Sequence, residues 1–239
     1  MEKDAAHLDA AAVKLLLAKL EPLVGANGEV VLIGGQALCF WAERYVELPE
    51  LRSDAPYTSK DIDFCGRAQH VELCARLLNG THKLFGPDDL SVCAGVVMTP
   101  EGVQLDFVHT PRGVDFDEVL RRAIVFPSLR VMHPIHLLTS KAANVVQIPR
   151  NTAPALKQLR ASVHIARAFI QEAVSVDVKA ARKINEEVFA LAKSDDGIAV
   201  WRQHGIDVFQ ATLLHAALGS DFTDTRYPQM CERLKRLRA

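Results

Sequence analysis

No apolar run in this 239-residue chain approaches the roughly 20 residues that a membrane-spanning helix needs. The opening Met1-Glu2-Lys3-Asp4 lacks the basic-then-apolar layout of a secretory signal, so a cytoplasmic location is expected. An excess of charge of either sign is also missing, since 28 Lys and Arg face 29 Asp and Glu. Such balance does not favour broad, sequence-blind binding to nucleic acid, although it leaves room for a local basic patch. The five cysteines, at 39, 65, 74, 93 and 231, form no CxxC pair. Four of them sit in apolar contexts, and they read as reduced core residues rather than as disulfides or zinc ligands. Internal repeats and low-complexity segments are absent too.

What is present divides into an α/β half and an all-helical half, with expected domains at 1–132 and 133–239. A helical stripe at 8–24 stops before Gly25 and Gly28. A strand at 29–33, a helix at 35–47 and a Pro- and Asp-containing loop at 48–58 precede an acidic strand at 61–65. A helix near 68–79 ends at Asn79-Gly80. Residues 90–98 and 102–109 read as a hairpin around Thr99-Pro100-Glu101-Gly102. Beyond His133-Pro134 the period is helical, with segments at 134–147, 154–175, 177–193, 195–216 and 226–238.

The most informative stretch is Thr58-Ser59-Lys60-Asp61-Ile62-Asp63-Phe64. Strand side chains alternate, so Asp61 and Asp63 share one face while Ile62 and Phe64 share the other. Adjacent carboxylates repel and call for a cation, and a hard divalent ion is the natural guest. Upstream, Val30-Val31-Leu32-Ile33 stops at Gly34-Gly35, and the apolar, patterned Gln36-Ala37-Leu38-Cys39-Phe40-Trp41-Ala42 follows. A buried strand, a glycine turn and a helix start offer backbone N–H groups to a phosphate. Downstream, Val103-Gln104-Leu105-Asp106-Phe107-Val108 alternates around a third acid, Asp106.

In order and type these pieces resemble the nucleotidyltransferase superfamily that includes DNA polymerase β. Its signature is an apolar strand, Gly-Gly or Gly-Ser, a helix, an Asp-x-Asp strand and a third acid on a neighbouring strand. The wording at 58–64, and Leu137-Leu138-Thr139-Ser140-Lys141-Ala142-Ala143 at an expected helix start, are most similar to the bacterial branch. That branch holds abortive-infection-type toxins and stand-alone nucleotidyltransferases. The similarity spans roughly residues 28–175. One departure is a longer interval between Gly35 and Asp61 than the smallest members have, with 49–56 as the extra loop. The resemblance implies an α+β fold: a polymerase β-like mixed sheet with flanking helices, followed by a C-terminal helical bundle.

It also implies an activity: transfer of a nucleoside monophosphate from a nucleoside triphosphate such as ATP to an acceptor hydroxyl, with Mg2+ or Mn2+. Two such ions about 3.5–4 Å apart stabilise the attacking and leaving oxygens. Asp61, Asp63 and Asp106 are the expected metal ligands and catalytic residues, and Asp106 also accepts the hydroxyl proton. Gly34 and Gly35 let the backbone approach the phosphates. Ser59 and Lys141 complete the expected nucleotide contacts; Lys157 and Arg160 are further candidates, and Lys60 reads as solvent-exposed. The acceptor class stays open among tRNA, protein and small molecule. An antitoxin or regulatory protein is an expected partner if the chain is a toxin or phage-defence component.

Competing readings are open to the same residues. Asp61 and Asp63, like Gln104 and Asp106, could be no more than solvated strand faces, and Gly34-Gly35 an ordinary turn. His109, His133 and His136 gather near the junction of the halves, but their spacing fits no compact zinc set. The basic Arg233-Leu234-Lys235-Arg236-Leu237-Arg238 reads as a solvated helix end, for which cations near a C-terminus are ordinary. A dinucleotide-binding turn is rejected because Cys39 stands where the third glycine belongs. The remaining alternative is a catalytically inactive module that keeps the fold and acts through a protein partner.

Overall fold

The computed structural model describes residues 10–57, 59, 61–86, 92–148 and 153–238. The chain runs α1 (Ala10–Lys19), α2 (Glu21–Val24), β1 (Val31–Leu32), α3 (Gly34–Arg44), α4 (Pro49–Ser53), β2 (Ile62–Cys65), α5 (Ala68–Leu78) and β3 (Thr81–Leu84). It continues through β4 (Cys93–Met98), β5 (Gln104–Val108), α6 (Phe116–Arg122), β6 (Ile124–Phe126) and β7 (Leu129–Val131). Helices α7 (Pro134–Gln147), α8 (Ala153–Val176), α9 (Val178–Ala192) and α10 (Asp195–His204) follow. Short turns then lead to α11 (Tyr227–Arg238). Among these residues no helix is long and apolar enough to cross a membrane.

Two compact units result. One holds the described residues up to Glu43 and those from Pro56 to Leu137; the other holds Arg44–Ala55 and those from Leu138 onward. The first unit is built on a mixed seven-stranded sheet in the order β3-β4-β5-β2-β1-β7-β6. β2 pairs antiparallel with β1 and parallel with β5, while β1 pairs parallel with β7. The central strands are held by their alternation. Ile62, Phe64, Leu105 and Phe107 are fully buried, and the rings of Phe64 and Phe107 lie 5.4 Å apart. Trp41 anchors α3 in the same unit by donating its indole N–H to the Met132 carbonyl at 2.9 Å. The fold class is therefore α+β, as expected.

Several local differences have plain physical causes. The described part of the 8–24 stripe, from Ala10, is two helices, with Pro22 in the first turn of the second, where its missing N–H costs nothing. The expected loop at 48–58 holds the helical turn α4. The segment expected at 195–216 stops at Gly205, whose φ of 65° ends α10 in the left-handed conformation. Asn79 closes α5 in the same way at φ 51°. Strands β3, β6 and β7 had no counterpart in the sequence reading. The start of the expected 90–98 strand and the Thr58 and Lys60 positions lie outside the described residues.

In the second unit, Asp177 and Ser194 cap α9 and α10 through their side chains. Buried Asn185 accepts the Leu213 N–H at 2.7 Å and donates to Ala181, tying α9 to the turn region. Glu172 on α8 takes hydrogen bonds from Arg44 and Tyr45 at 2.6 and 2.8 Å.

Candidate active site

The alternation that buries Ile62 and Phe64 turns Asp63 to the other face of β2, and β5 does the same for Asp106. The parallel pairing sets these two residues directly opposite each other, Asp63 against Asp106. Both are half-buried, as is Asp61 just before the strand. Gln104, two residues earlier on the same face of β5, donates its amide to Asp106 Oδ1 at 2.8 Å.

Burial holds the Asp106 carboxyl above its ordinary range; the Gln104 hydrogen bond opposes that, and the charge of Asp61 adds to it. Asp61 is therefore close enough to be felt by Asp106. A neighbouring cation would reverse the upward shift by favouring the ionised form.

The glycines join the acids at this edge. β1 continues its pairing beyond Leu32, with the Ile33 N–H donating to the Asp63 carbonyl at 2.9 Å. The chain then turns at Gly34, with φ 66°, directly into α3. A Cβ on Gly34 would stand 2.0 Å from Asp63 Oδ2 and 2.9 Å from Asp63 Cβ. Glycine is thus required twice, for the backbone angle and for the approach of the carboxylate. The first turn of α3, whose N–H groups lack partners within the helix, begins beside this acid. Gly35 is buried within that turn.

The other sequence candidates fall as follows. Ser59 is half-buried in the segment entering β2. Lys141 lies in the helical unit on α7, buried, and donates to Gln158 Oε1 on α8 at 2.7 Å. Arg160 is exposed and Lys157 half-buried on α8. His109 is exposed, whereas His133 and His136 are buried with ring centroids 5.6 Å apart. Burial, aided by Arg122, pulls these two down to about 3 and about 4, so both are neutral imidazoles at pH 7. Cys65 and Cys74 are buried thiols pushed up to about 12 by desolvation, which makes them inert packing groups. Cys39, Cys93 and Cys231 are half-buried and form no disulfide among the described residues, and the Cys39 thiol donates to the Tyr57 carbonyl at 3.1 Å. The residue whose role the sequence left open is Gln104; its i, i+2 relation to Asp106 on a strand was the signal.

Among the described residues, no three His, Cys, Asp or Glu side chains stand together as a ready metal-binding group. What the fold brings together is the Asp63–Asp106 pair, with Asp61 in electrostatic reach. Half-exposed carboxylate oxygens are the donors that Mg2+ or Mn2+ takes, with water and phosphate completing the shell. The donor set fits a hard divalent cation.

Strand β1, Gly34-Gly35, helix α3, the Asp61–Asp63 segment and the neighbouring acid of β5 thus occur in the order and pairing of the signature. The architecture matches the nucleotidyltransferase pattern that the sequence resembles. No family model and no curated protein matches the chain. Among solved structures it is similar to the Megavirus polyadenylate synthase (TM-score 0.45, 11% identity), with 93% of this chain aligned to 48% of that one. The chain thus spans about half of that viral protein. It is also similar to JHP933 from Helicobacter pylori (TM-score 0.43, 15% identity, 97% and 100% of the two chains). A third likeness is to a suspected nucleotidyltransferase from H. pylori (TM-score 0.43, 14% identity, 96% and 99%). Likenesses this distant leave the functional reading to rest on the chain's own residues.

Proposed function

We propose that this protein is a metal-dependent nucleotidyltransferase that moves a nucleoside monophosphate from a nucleoside triphosphate to an acceptor hydroxyl. The observation that carries the reading is the in-register Asp63–Asp106 pair on the polar face of β2 and β5, with Gly34 pressed against Asp63. Asp61, Asp63 and Asp106 would hold Mg2+ or Mn2+. When bound, the ions neutralise the triphosphate and lower the pKa of the attacking hydroxyl.

The remaining work falls to the chain itself. Gly34 and Gly35 present the start of α3 to the phosphates, where free N–H groups and the helix dipole favour negative charge. Asp106, already held above the ordinary carboxylate range, accepts the proton of the acceptor hydroxyl. Gln104 fixes the orientation of that carboxylate. Ser59 contacts a phosphate oxygen, and Lys141 is a further candidate nucleotide contact. The acceptor is an RNA, a protein or a small hydroxyl compound, and a toxin or defence role with a restraining partner goes with the first two.

The test is a calorimetric titration of the four nucleoside triphosphates, with and without Mg2+, into the wild type and an Asp61→Asn/Asp63→Asn variant. Magnesium-dependent binding that disappears in the variant is expected. Absence of binding by the wild type at millimolar nucleotide would overturn the enzymatic reading and leave the inactive, partner-directed module.

A further inference from the structure

At the other end of the central strands β1 and β2 from the acids lies a second cleft. Glu29 lies just before β1 and Arg67 just after β2, so β1 and β2 run from this cleft to Gly34 and Asp63. Arg67 is four residue steps along extended chain from Asp63, roughly 13 Å at the rise of a strand. The cleft has a volume of about 260 Å³ and is lined by Glu29, Arg67, His70, Phe116, Leu120 and Arg130.

Its polar groups are positioned and only partly used. His70, itself buried, accepts the Arg67 backbone N–H on Nδ1 at 3.0 Å. Its proton in the neutral form is therefore on Nε2, which faces a Glu29 oxygen at 3.2 Å and Gln69 at 3.3 Å. Glu29 is 72% exposed and keeps acceptor capacity toward the cleft. Arg130 donates through its terminal nitrogens to the carbonyls of Gly28 and Leu120 at 2.6 and 2.8 Å. Its Nε is buried and has no hydrogen-bond partner among the described residues. The Arg67 guanidinium lies 4.9 Å above the Phe116 ring and 3.9 Å from Asp117, and its side chain is 56% exposed.

Charge and shape narrow the ligand. Two arginines are offset by Glu29 and Asp117, so the cleft favours neither a simple anion nor a simple cation. It offers an acceptor, separate donors and a flat apolar side made by Phe116 and Leu120. Its volume is just below the range of drug-sized ligands, which suits one or two fused rings with a small substituent. We infer that this cleft is a second binding site, separate from the acids, for a neutral planar heterocycle of the nucleobase class. The ring lies against Phe116 and Arg67, ring N–H groups meet Glu29, and ring acceptors meet the Arg67 guanidinium.

Nucleosides test this without engaging a phosphate cradle. Adenosine, guanosine, cytidine and uridine are titrated calorimetrically into the full chain, with inorganic phosphate and glutamate as charged probes. At least one nucleoside is expected to bind in the millimolar range or tighter, with phosphate and glutamate silent. Glu29→Gln, at an exposed position that leaves the fold intact, is expected to weaken that binding about tenfold, the size of one charge-assisted hydrogen bond. Arg67→Ala weakens it similarly, while Asp61→Asn/Asp63→Asn leaves it unchanged. The inference is overturned if no nucleoside binds at millimolar concentration, or if only phosphate or glutamate does. It is equally overturned if binding ignores Glu29→Gln and Arg67→Ala, or is lost with Asp61 and Asp63. The last outcome would place the nucleoside in the proposed active site and leave that reading standing.

Discussion

The two faces of the β2–β5 ribbon differ in every physical respect although they share one backbone. On one face Ile62, Phe64, Leu105 and Phe107 are wholly withdrawn from water and interlock. On the other, Asp63 and Asp106 stand opposite each other, half-buried, with Asp61 adding a like charge. Burial of aromatic rings stabilises the fold; juxtaposed carboxylates oppose it. A sheet that keeps such acids while the reverse face is packed this tightly has its stability supplied by one surface and, on the proposed function, its chemistry by the other. The teaching is that substitutions on the two faces should separate stability from activity.

The largest separation is expected from Phe107→Ala. Removing a fully buried ring beside Phe64 costs about 3–5 kcal/mol of stability. Chemical denaturation should show this as a lower midpoint at unchanged slope. A loss below about 1 kcal/mol would mean that the apolar face does not carry the ribbon. Asp63→Asn is the complementary change on the polar face. It should lower nucleotide transfer by about 10²–10³-fold or more, the scale of removing one transition-state electrostatic group. Its denaturation midpoint should fall far less than that of Phe107→Ala. A variant as unstable as Phe107→Ala would dissolve the distinction between the faces.

Gly34→Ala probes the seam where the acid face meets α3. The left-handed backbone costs a non-glycine residue about 1–2 kcal/mol, and the new methyl also displaces the Asp63 carboxylate. Both stability and metal-dependent triphosphate binding should fall. In a double-mutant cycle with Asp63→Ala, the contact part of the penalty should vanish and the backbone part remain. Strict additivity of the two changes would show that Gly34 and Asp63 do not crowd each other.

The comparison also explains which parts of the molecule could be read in advance. The β2 and β5 faces were legible because period-2 alternation is a local property, and Ile62-Asp63-Phe64 and Leu105-Asp106-Phe107 display it without reference to the fold. Gly34-Gly35 after an apolar run was legible for the same reason. β3 was not, because Thr81-His82-Lys83-Leu84 is an exposed edge strand with no apolar alternation to announce it. β6 and β7 have three residues each, too few for any period, and form only because β7 pairs with β1. Pairwise geometry was beyond reach in principle. The register that sets Asp63 against Asp106, the Gln104 bond and the cleft joining Glu29, Arg67 and Arg130 all depend on segments distant in sequence. Lys141 shows the same limit: its helix was anticipated, but its Gln158 partner on α8 was not.

The smallest expected effect has the most diagnostic sign. Asp106 has a folded pKa above its unfolded value, because burial and Asp61 disfavour its charge. Between those two values the native state binds more protons than the unfolded state, so stability falls as pH rises through the window. Below the ordinary carboxylate range the penalty is absent; at neutral pH it is fully present. Asp106→Asn keeps an oxygen to accept the Gln104 amide while removing the charge. In metal-free buffer at pH 7 it should therefore raise stability by a small increment, under about 1 kcal/mol for a group this exposed to solvent screening. The gain should disappear when the comparison is repeated well below pH 4. Mg2+ should stabilise the wild type more than the variant, since an ion that binds only the folded state shifts the equilibrium by mass action. Transfer activity should be lost in the variant throughout. A variant less stable than the wild type at pH 7 would show that Asp106 supports the fold, and the division of labour between the two faces would fail at the residue that defines it.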